Sequence, residues 1–157
     1  AVPSGDQPLE ALMDCLEWVA IGFEIVDSHF PDWKFTAADA VADFGVHAAL
    51  VVGTPLEVEK DELRLIAAQL PELRVTLSCG PEMVSEGVGR NALGSPIIAF
   101  GHLAQVVSTQ PWAAPLTCGE IITTGTLTPL PYINSGERWV LNVAGAPLKP
   151  LTIDLFD

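Results

Sequence analysis

Basic side chains are scarce in this chain. Seven Lys and Arg stand against 20 Asp and Glu, a formal net charge of −13 at pH 7. Phosphate binding needs clustered Lys and Arg, so the composition argues against DNA or RNA as a partner. It argues equally against docking on anionic lipid. No uninterrupted apolar run approaches the roughly 18–20 residues that a membrane helix needs. Val19–Val26 and Ala48–Val52 are strand-sized, and the first contains Glu24. The opening AVPSGDQPLE has no basic segment followed by an apolar one, so no secretory signal is expected there. It also lacks Met, and the expectation is a processed chain or a piece of something longer.

Cysteine is equally sparse. Cys15, Cys79 and Cys118 are odd in number and widely spaced, with no Cys-x-x-Cys. A disulfide framework or zinc site is therefore not expected. Reduced, buried thiols in a cytoplasmic protein are the default. There is no Gly-x-Ser-x-Gly elbow. There is no phosphate loop either, and Gly87-Val88-Gly89 lacks the third glycine of a dinucleotide fingerprint. Internal repeats, low-complexity tracts and charge blocks are all missing.

What remains is a chain of 157 residues, 49% hydrophobic and 17% charged, which suits one folded domain with a sizeable core. Pro and Gly, 13 each, are scattered as turn punctuation. Helical spacing of Leu9, Leu12, Met13, Leu16 and Val19 predicts a helix over Pro8–Val19. Val19–Asp27 is strand-like, and Thr36 caps a short helix over Ala37–Phe44. Ala48–Val52 is expected as a buried strand closed by Gly53. Arg74–Cys79 and Glu82–Glu86 make a hairpin around Gly80-Pro81. Ser95-Pro96 starts a long helix to about Ser108, with Ile97, Phe100, Leu103, Val106 and Val107 on its apolar side. Glu120–Thr124, Glu137–Val143 and Leu148–Phe156 are the remaining strands. The sum is a single α+β domain over 1–157, mostly strand, with one long helix on the sheet.

Glu24 is the most informative residue, an acid among Ile21, Gly22, Phe23, Ile25 and Val26. Burying it is costly unless a cation, a metal or hydrogen bonds meet it. It is either paired with an Arg or placed at a solvated strand edge, or it is an oxygen ligand for Mg²⁺ or Mn²⁺. Asp27 and Asp32 follow closely enough to share a cation, or they are ordinary turn acids. His47 faces a site as acid or base, or is a satisfied structural histidine. His102 is expected to pack in the long helix, and His29 contacts a carboxylate or sits exposed in its loop. Thr124, Gly125 and Thr126 offer amides and hydroxyls to a carboxylate, or are turn chemistry. Trp18, Trp112 and Trp139 look like core or interface aromatics, since no basic groove accompanies them.

Several segments together carry a family resemblance. Glu17-Trp18-Val19, Phe23-Glu24-Ile25-Val26-Asp27-Ser28, Asp32-Trp33 and Val41-Ala42-Asp43 resemble the 2-keto-4-pentenoate hydratase family of the fumarylacetoacetate hydrolase superfamily. Gly87-Val88-Gly89-Arg90-Asn91-Ala92-Leu93-Gly94-Ser95-Pro96 is similar to the family's glycine-rich turn into its long helix. Gly119–Thr128 is similar to its late active-site strand and loop, and Gly136-Glu137 also fits. The order of these pieces over nearly the whole chain carries the resemblance.

The resemblance implies a β-rich mixed-sheet roll with one long helix packed on it. It implies a metal-dependent lyase of aromatic-compound catabolism that adds water to a small 2-hydroxydienoate through a metal-stabilised enolate. It also implies a homo-oligomer. Sister activities are decarboxylation of 2-oxo-3-hexenedioate-type acids and C–C hydrolysis of acylpyruvates, for which His47 is the candidate base. A non-catalytic 2-oxo-acid-binding relative or subunit is the reading from another class. By the resemblance Glu24 is the later single Glu of a three-carboxylate Mg²⁺ or Mn²⁺ site, with Asp27 as the fallback ligand. Thr124, Gly125, Thr126 and His29 fall to the substrate. The family's Glu-x-Glu pair has no counterpart upstream of Glu24, and Glu57-Val58-Glu59 lies downstream in a polar stretch. This points to the C-terminal portion of a protein about 100 residues longer. His29 replaces a usual Arg, and Phe44-Gly45-Val46-His47 replaces an Asn-Ala-Ser-type stretch.

Overall fold

The computed structural model describes residues 7–57 and 62–156. Its centre is a four-stranded antiparallel sheet, ordered β6-β5-β7-β8. The strands are β5 (Arg74–Cys79), β6 (Glu82–Val88), β7 (Arg138–Ala144) and β8 (Leu151–Asp154). Gly80 turns β5 into β6 with φ 55°, a conformation that costs glycine little. Alternation sends Val75, Leu77, Trp139 and Leu141 to one face, where they are buried. Helix α4 (Pro96–Thr109) covers that face with Ile97, Phe100 and Ala104. Helix α1 (Leu9–Met13) adds Leu12 and Met13. Helix α3 (Leu63–Gln69) adds Ile66 and Ala67. Full burial of such side chains stabilises by about 1.5–3 kcal/mol each.

Two smaller sheets stand apart from this centre. Strand β1 (Trp18–Val19) pairs with β4 (Leu56–Glu57). Strand β2 (Gly22–Val26) pairs with β3 (His47–Val52), Glu24 opposite Leu50 and Val26 opposite His47 after a bulge. Val19, Ile21, Phe23 and Leu56 pack against the main core. Between β2 and β3 lies helix α2 (Ala37–Ala42), held by a capping box. The Asp39 N–H donates to the Thr36 hydroxyl, and the Thr36 N–H donates to the Asp39 carboxylate.

Several expectations change here. The N-terminal helix ends at Met13, because Trp18 and Val19 are drawn into pairing with Glu57 and Leu56. Ala48–Val52 is a strand, but an exposed one. Glu120–Thr124 forms no strand, and no helix or strand occurs over 110–137. Instead of one continuous roll, the described residues form three sheets, with antiparallel pairing throughout. Helix α3 was not anticipated. Ser95 does precede α4, but its side chain makes no cap bond and its buried hydroxyl has no partner. Cys118 is exposed and Cys15 and Cys79 are half-buried, and all three are free thiols. Trp139 is buried as expected, whereas Trp112 is exposed. His102 lies on the exposed side of α4. Val58 and Glu59 of the Glu57-Val58-Glu59 stretch lie outside the described residues.

By length and composition, Gly89–Thr109 taken as one helix is apolar enough to cross a membrane. The backbone breaks it. Ala92 leaves helical geometry, Gly94 takes φ 89° and Ser95 is extended. The continuous part, α4, spans about 21 Å at 1.5 Å per residue, short of the hydrocarbon core of about 30 Å.

Candidate functional site

A cavity of about 510 Å³ opens between the β1–β2 segment, the main sheet, the start of α4 and the irregular strap over 116–133. Its volume falls within the range of about 300–1,000 Å³ typical of small-molecule sites. The floor is aliphatic and aromatic, with Phe23, Phe100, Leu141 and Trp139 in the wall. Glu24, Thr124, Gly125 and Thr126 also belong to this wall, so residues a hundred positions apart meet at one cavity. Cys15 lines it too, and burial raises its thiol pKa. A protonated thiol is a poor nucleophile, so burial does not activate Cys15.

The strap is held in place by a close approach that the glycine pattern makes possible. A Cβ on Gly87 would overlap the Leu127 carbonyl, and one on Gly89 would overlap the Leu70 carbonyl. The side-chain amide of Asn91 donates to the same Leu127 oxygen at 2.8 Å. Gly87 and Asn91 therefore set where the strap runs, just past Thr124–Thr126, while Gly89 lets the chain pass close to Leu70. Thr126 donates its hydroxyl to the Thr128 carbonyl at 2.7 Å and receives the Thr128 N–H. That turn chemistry leaves the Thr124 hydroxyl and the Gly125 backbone, at φ 95°, as the less engaged parts of the segment.

Glu24 sits at the rim of the cavity. Strand alternation turns Phe23 into the core and Glu24 to the other face, with its side chain 35% exposed. Its carboxylate lies 2.9 Å from His47 Nδ1. The expected Arg partner is replaced by a histidine delivered by the next strand, and the acid is solvated rather than buried. His47 itself is absent from the cavity wall. It follows a strained turn: Phe44, Gly45 and Val46 all have positive φ, 52°, 71° and 57°. For a β-branched residue such as Val46 that conformation is an outlier.

The other candidates are placed elsewhere. Asp27 follows β2 as an exposed residue outside the wall, and its N–H donates to the Val46 carbonyl. His29 is exposed and pairs with the Asp43 carboxylate. Asp32 pairs with Lys34 on the surface. Two further wall residues, Glu17 and Glu120, stood in the sequence only as parts of motifs and were given no site role. Glu120 accepts from both the N–H and the hydroxyl of Thr117, which fixes the start of the strap.

Among the described residues no three His, Cys, Asp or Glu side chains converge on a point that would hold a metal ion. Magnesium and calcium take six or more oxygen ligands. The described residues therefore do not by themselves complete a divalent-cation site. The charged side chains in the described wall are all carboxylates: Glu17, Glu24 and Glu120. An anionic ligand entering there meets repulsion unless a positive ion lies between.

Comparisons with known proteins bear out the resemblance that the motifs carry. No family model matches the chain. It is 34% identical over 134 residues to 2-keto-4-pentenoate hydratase 2 of Dechloromonas aromatica, covering 85% of this chain and 48% of that protein. It is 32% identical over 136 residues to the 2-hydroxyhexa-2,4-dienoate hydratase of Comamonas testosteroni, covering 87% and 48%. Among solved structures, the 4-oxalocrotonate decarboxylase from Pseudomonas putida G7, complexed with magnesium and adipate, superposes with a TM-score of 0.80. That match has 21% identity and covers 99% of this chain and 57% of the other. A second structure of that decarboxylase, with calcium and acetate, gives 0.79 and 21% identity, covering 98% of this chain and 54% of the other. The structural matches establish a shared α+β fold. The chain spans about half the length of the curated relatives it matches.

Proposed function

We propose, from the premise that this chain is related to the 2-keto-4-pentenoate hydratases along half their length, that it is the C-terminal catalytic portion of a hydro-lyase. It adds water to a small 2-hydroxydienoate or 2-oxo-enoate of aromatic-compound catabolism. The observation that carries this reading is the meeting of Glu24 with Thr124-Gly125-Thr126 around one cavity. Glu24 would hold a Mg²⁺ or Mn²⁺ ion together with protein ligands from outside these residues, and such an ion would supply the positive charge that attracts a 2-oxo acid and polarises its oxo group.

The chain's own residues position and enclose. His47 hydrogen-bonds Glu24 and fixes its orientation, which favours a positioning role over direct proton transfer. Thr124 and the Gly125 amide face the substrate's carboxylate. The apolar floor keeps water from the carbon chain except along the rim. Asp27 and His29 lie outside the wall and receive no role. Association into a homo-oligomer fits the apolar side chains of Val41 and Phe44, which are 79% and 88% exposed.

Decarboxylation of a 2-oxo-enedioate is the second reading. A 4-oxalocrotonate decarboxylase of Pseudomonas sp is 34% identical to this chain over 121 residues, 77% of this chain and 43% of that protein. An assay of 2-hydroxypenta-2,4-dienoate hydration beside carbon dioxide release separates the two. Glu24→Ala in the complete protein tests the site. It should lower Mn²⁺ affinity and turnover by about 100-fold or more. Unchanged values for both would remove Glu24 from the metal site.

A further inference from the structure

The strap over 116–133 has few polar ties to the body of the protein. Among the described residues, no backbone–backbone hydrogen bond joins 116–133 to the rest of the fold. Its own side-chain hydrogen bonds are local, Thr117 with Glu120 and Thr126 with Thr128. The long-range tie is the bond from the Asn91 side-chain amide to the Leu127 carbonyl, which joins residues 36 positions apart. Leu116, Ile122 and Leu127 add apolar packing on the main core. Within the strap, Gly119 and Gly125 take φ 87° and 95°, and a Cβ on either would meet open space. Neighbouring atoms therefore do little to hold the chain at these two turns. Asn91, by contrast, is well anchored. It ends the short turn Gly89–Asn91, where the Ala92 N–H donates to the Gly89 carbonyl and the Arg90 N–H to the Pro71 carbonyl. That turn joins β6 to α4, so the amide ties the strap to the rigid half of the molecule.

We propose that Asn91 is a positioning residue: its amide latches the strap at Leu127 and so presents Thr124 and Gly125 to the substrate, governing how tightly the substrate is held rather than how fast it reacts. The proposal rests on the reading that Thr124 and Gly125 meet a substrate carboxylate, and adds what keeps them in place. Asn91 is exposed and lies outside the cavity wall, so it acts only through the strap. Loss of its donor would leave the Leu127 carbonyl unpaired and the strap held by apolar packing alone. One neutral hydrogen bond contributes modestly to stability, so the effect is a few-fold change and not abolition. A latch that acts on substrate and transition state alike moves KM and spares kcat.

Three substitutions in the complete protein test this, all at an exposed position with little risk to folding. Asn91→Leu removes the donor at similar volume. Asn91→Asp keeps the shape and sets a carboxylate against the Leu127 carbonyl. Asn91→Gln keeps the donor. KM for 2-hydroxypenta-2,4-dienoate should rise about 3- to 10-fold in the Leu and Asp variants, with kcat within about twofold. Asn91→Gln should bring KM back to within about twofold of the unsubstituted protein. Thermolysin, which cuts on the amino side of bulky apolar residues, reads the latch without turnover. Initial cleavage between Thr126 and Leu127 should quicken about 3- to 10-fold in Asn91→Leu, because cleavage follows the population of the locally opened strap. Ile121 is 55% exposed, and cleavage before it should stay within about twofold. Unchanged KM in Asn91→Leu, a fall in kcat in place of the rise in KM, a Gln variant no better than Leu, or unchanged cleavage before Leu127 would overturn the proposal. Absence of hydration by the unsubstituted protein would instead sink the hydratase reading, and the cleavage rates would still decide the latch.

Discussion

Strands β3 and β5 are both six residues long and both bring β-branched or aliphatic side chains to antiparallel partners. They end in different surroundings. In β5, Val75 and Leu77 are buried under α4 and beside Trp139 and Leu141 of β7. In β3, HAALVV, every residue but Leu50 is exposed, although its strand partner β2 sends Phe23 into the main core. The main sheet closes its own core. The β2–β3 ribbon, which carries Glu24 and His47, borrows a little of that core through one face and leaves the other open. The site is thus attached to a rigid body without being enclosed by it. Carrying function on the less packed element is a common division of labour.

The largest effect should come from the closed half. Trp139→Ala removes a buried ring from the centre of the main core and should cost about 3–5 kcal/mol in denaturant unfolding. A loss as small as that of a surface substitution would mean that the two halves are equally loose. Next, Gly87→Ala should cost about 1–3 kcal/mol, because the new Cβ overlaps the Leu127 carbonyl. It should also weaken ligand binding by displacing Thr124–Thr126. In the open half, His47→Ala should reduce turnover of the complete protein about 10- to 100-fold while leaving unfolding free energy within about 0.5 kcal/mol. A large stability loss instead would make His47 a structural residue. Smaller still, Val46→Asn should stabilise by about 0.5–1 kcal/mol, since Asn tolerates the left-handed backbone that Val46 adopts.

The same contrast governs what the sequence revealed. The closed half was legible because its signals are local. Gly80-Pro81 marked the β5–β6 turn, Ser95-Pro96 marked the start of α4, and the apolar spacing of Ile97 and Phe100 named its buried side. Glu120–Thr124 has strand composition, but a strand also needs a partner, and none meets it among the described residues. Helix α3 escaped because Leu63–Gln69 follows the acidic stretch around Asp61-Glu62, which reads as solvated surface. Glu24 stood out as an acid in an apolar strand. Its pairing with His47 depends on the β2–β3 register and its bulge, which no short motif encodes. The clamp on Leu127 is similarly non-local: Gly87 and Asn91 were visible as part of a turn motif, while the strap they hold lies some 40 residues on.

The smallest expected effect concerns acid, and it too falls unevenly. Asp154 on β8 accepts two charge-assisted bonds from Arg138 of β7, at 2.6 and 2.9 Å, and these lower its pKa from the usual carboxylate value. Glu137, bonded by Asn134 and Trp139, is lowered as well. A group whose folded pKa is depressed stabilises above its unfolded pKa, and that contribution disappears as pH falls through the folded value. Asp154 lies in the main sheet and Glu137 immediately precedes β7, so acidification from about pH 4 downward should weaken β7 and β8 in particular. Asp154→Asn should flatten the stability profile in that acid window and change little near neutrality, where the exposed pair is screened by salt. Hydrogen exchange across a pH series would locate the loss. Protection lost first in β2 and β3 would invert the contrast between the halves, and protection lost first in β7 and β8 would place the acid-sensitive contacts in the half that closes its own core.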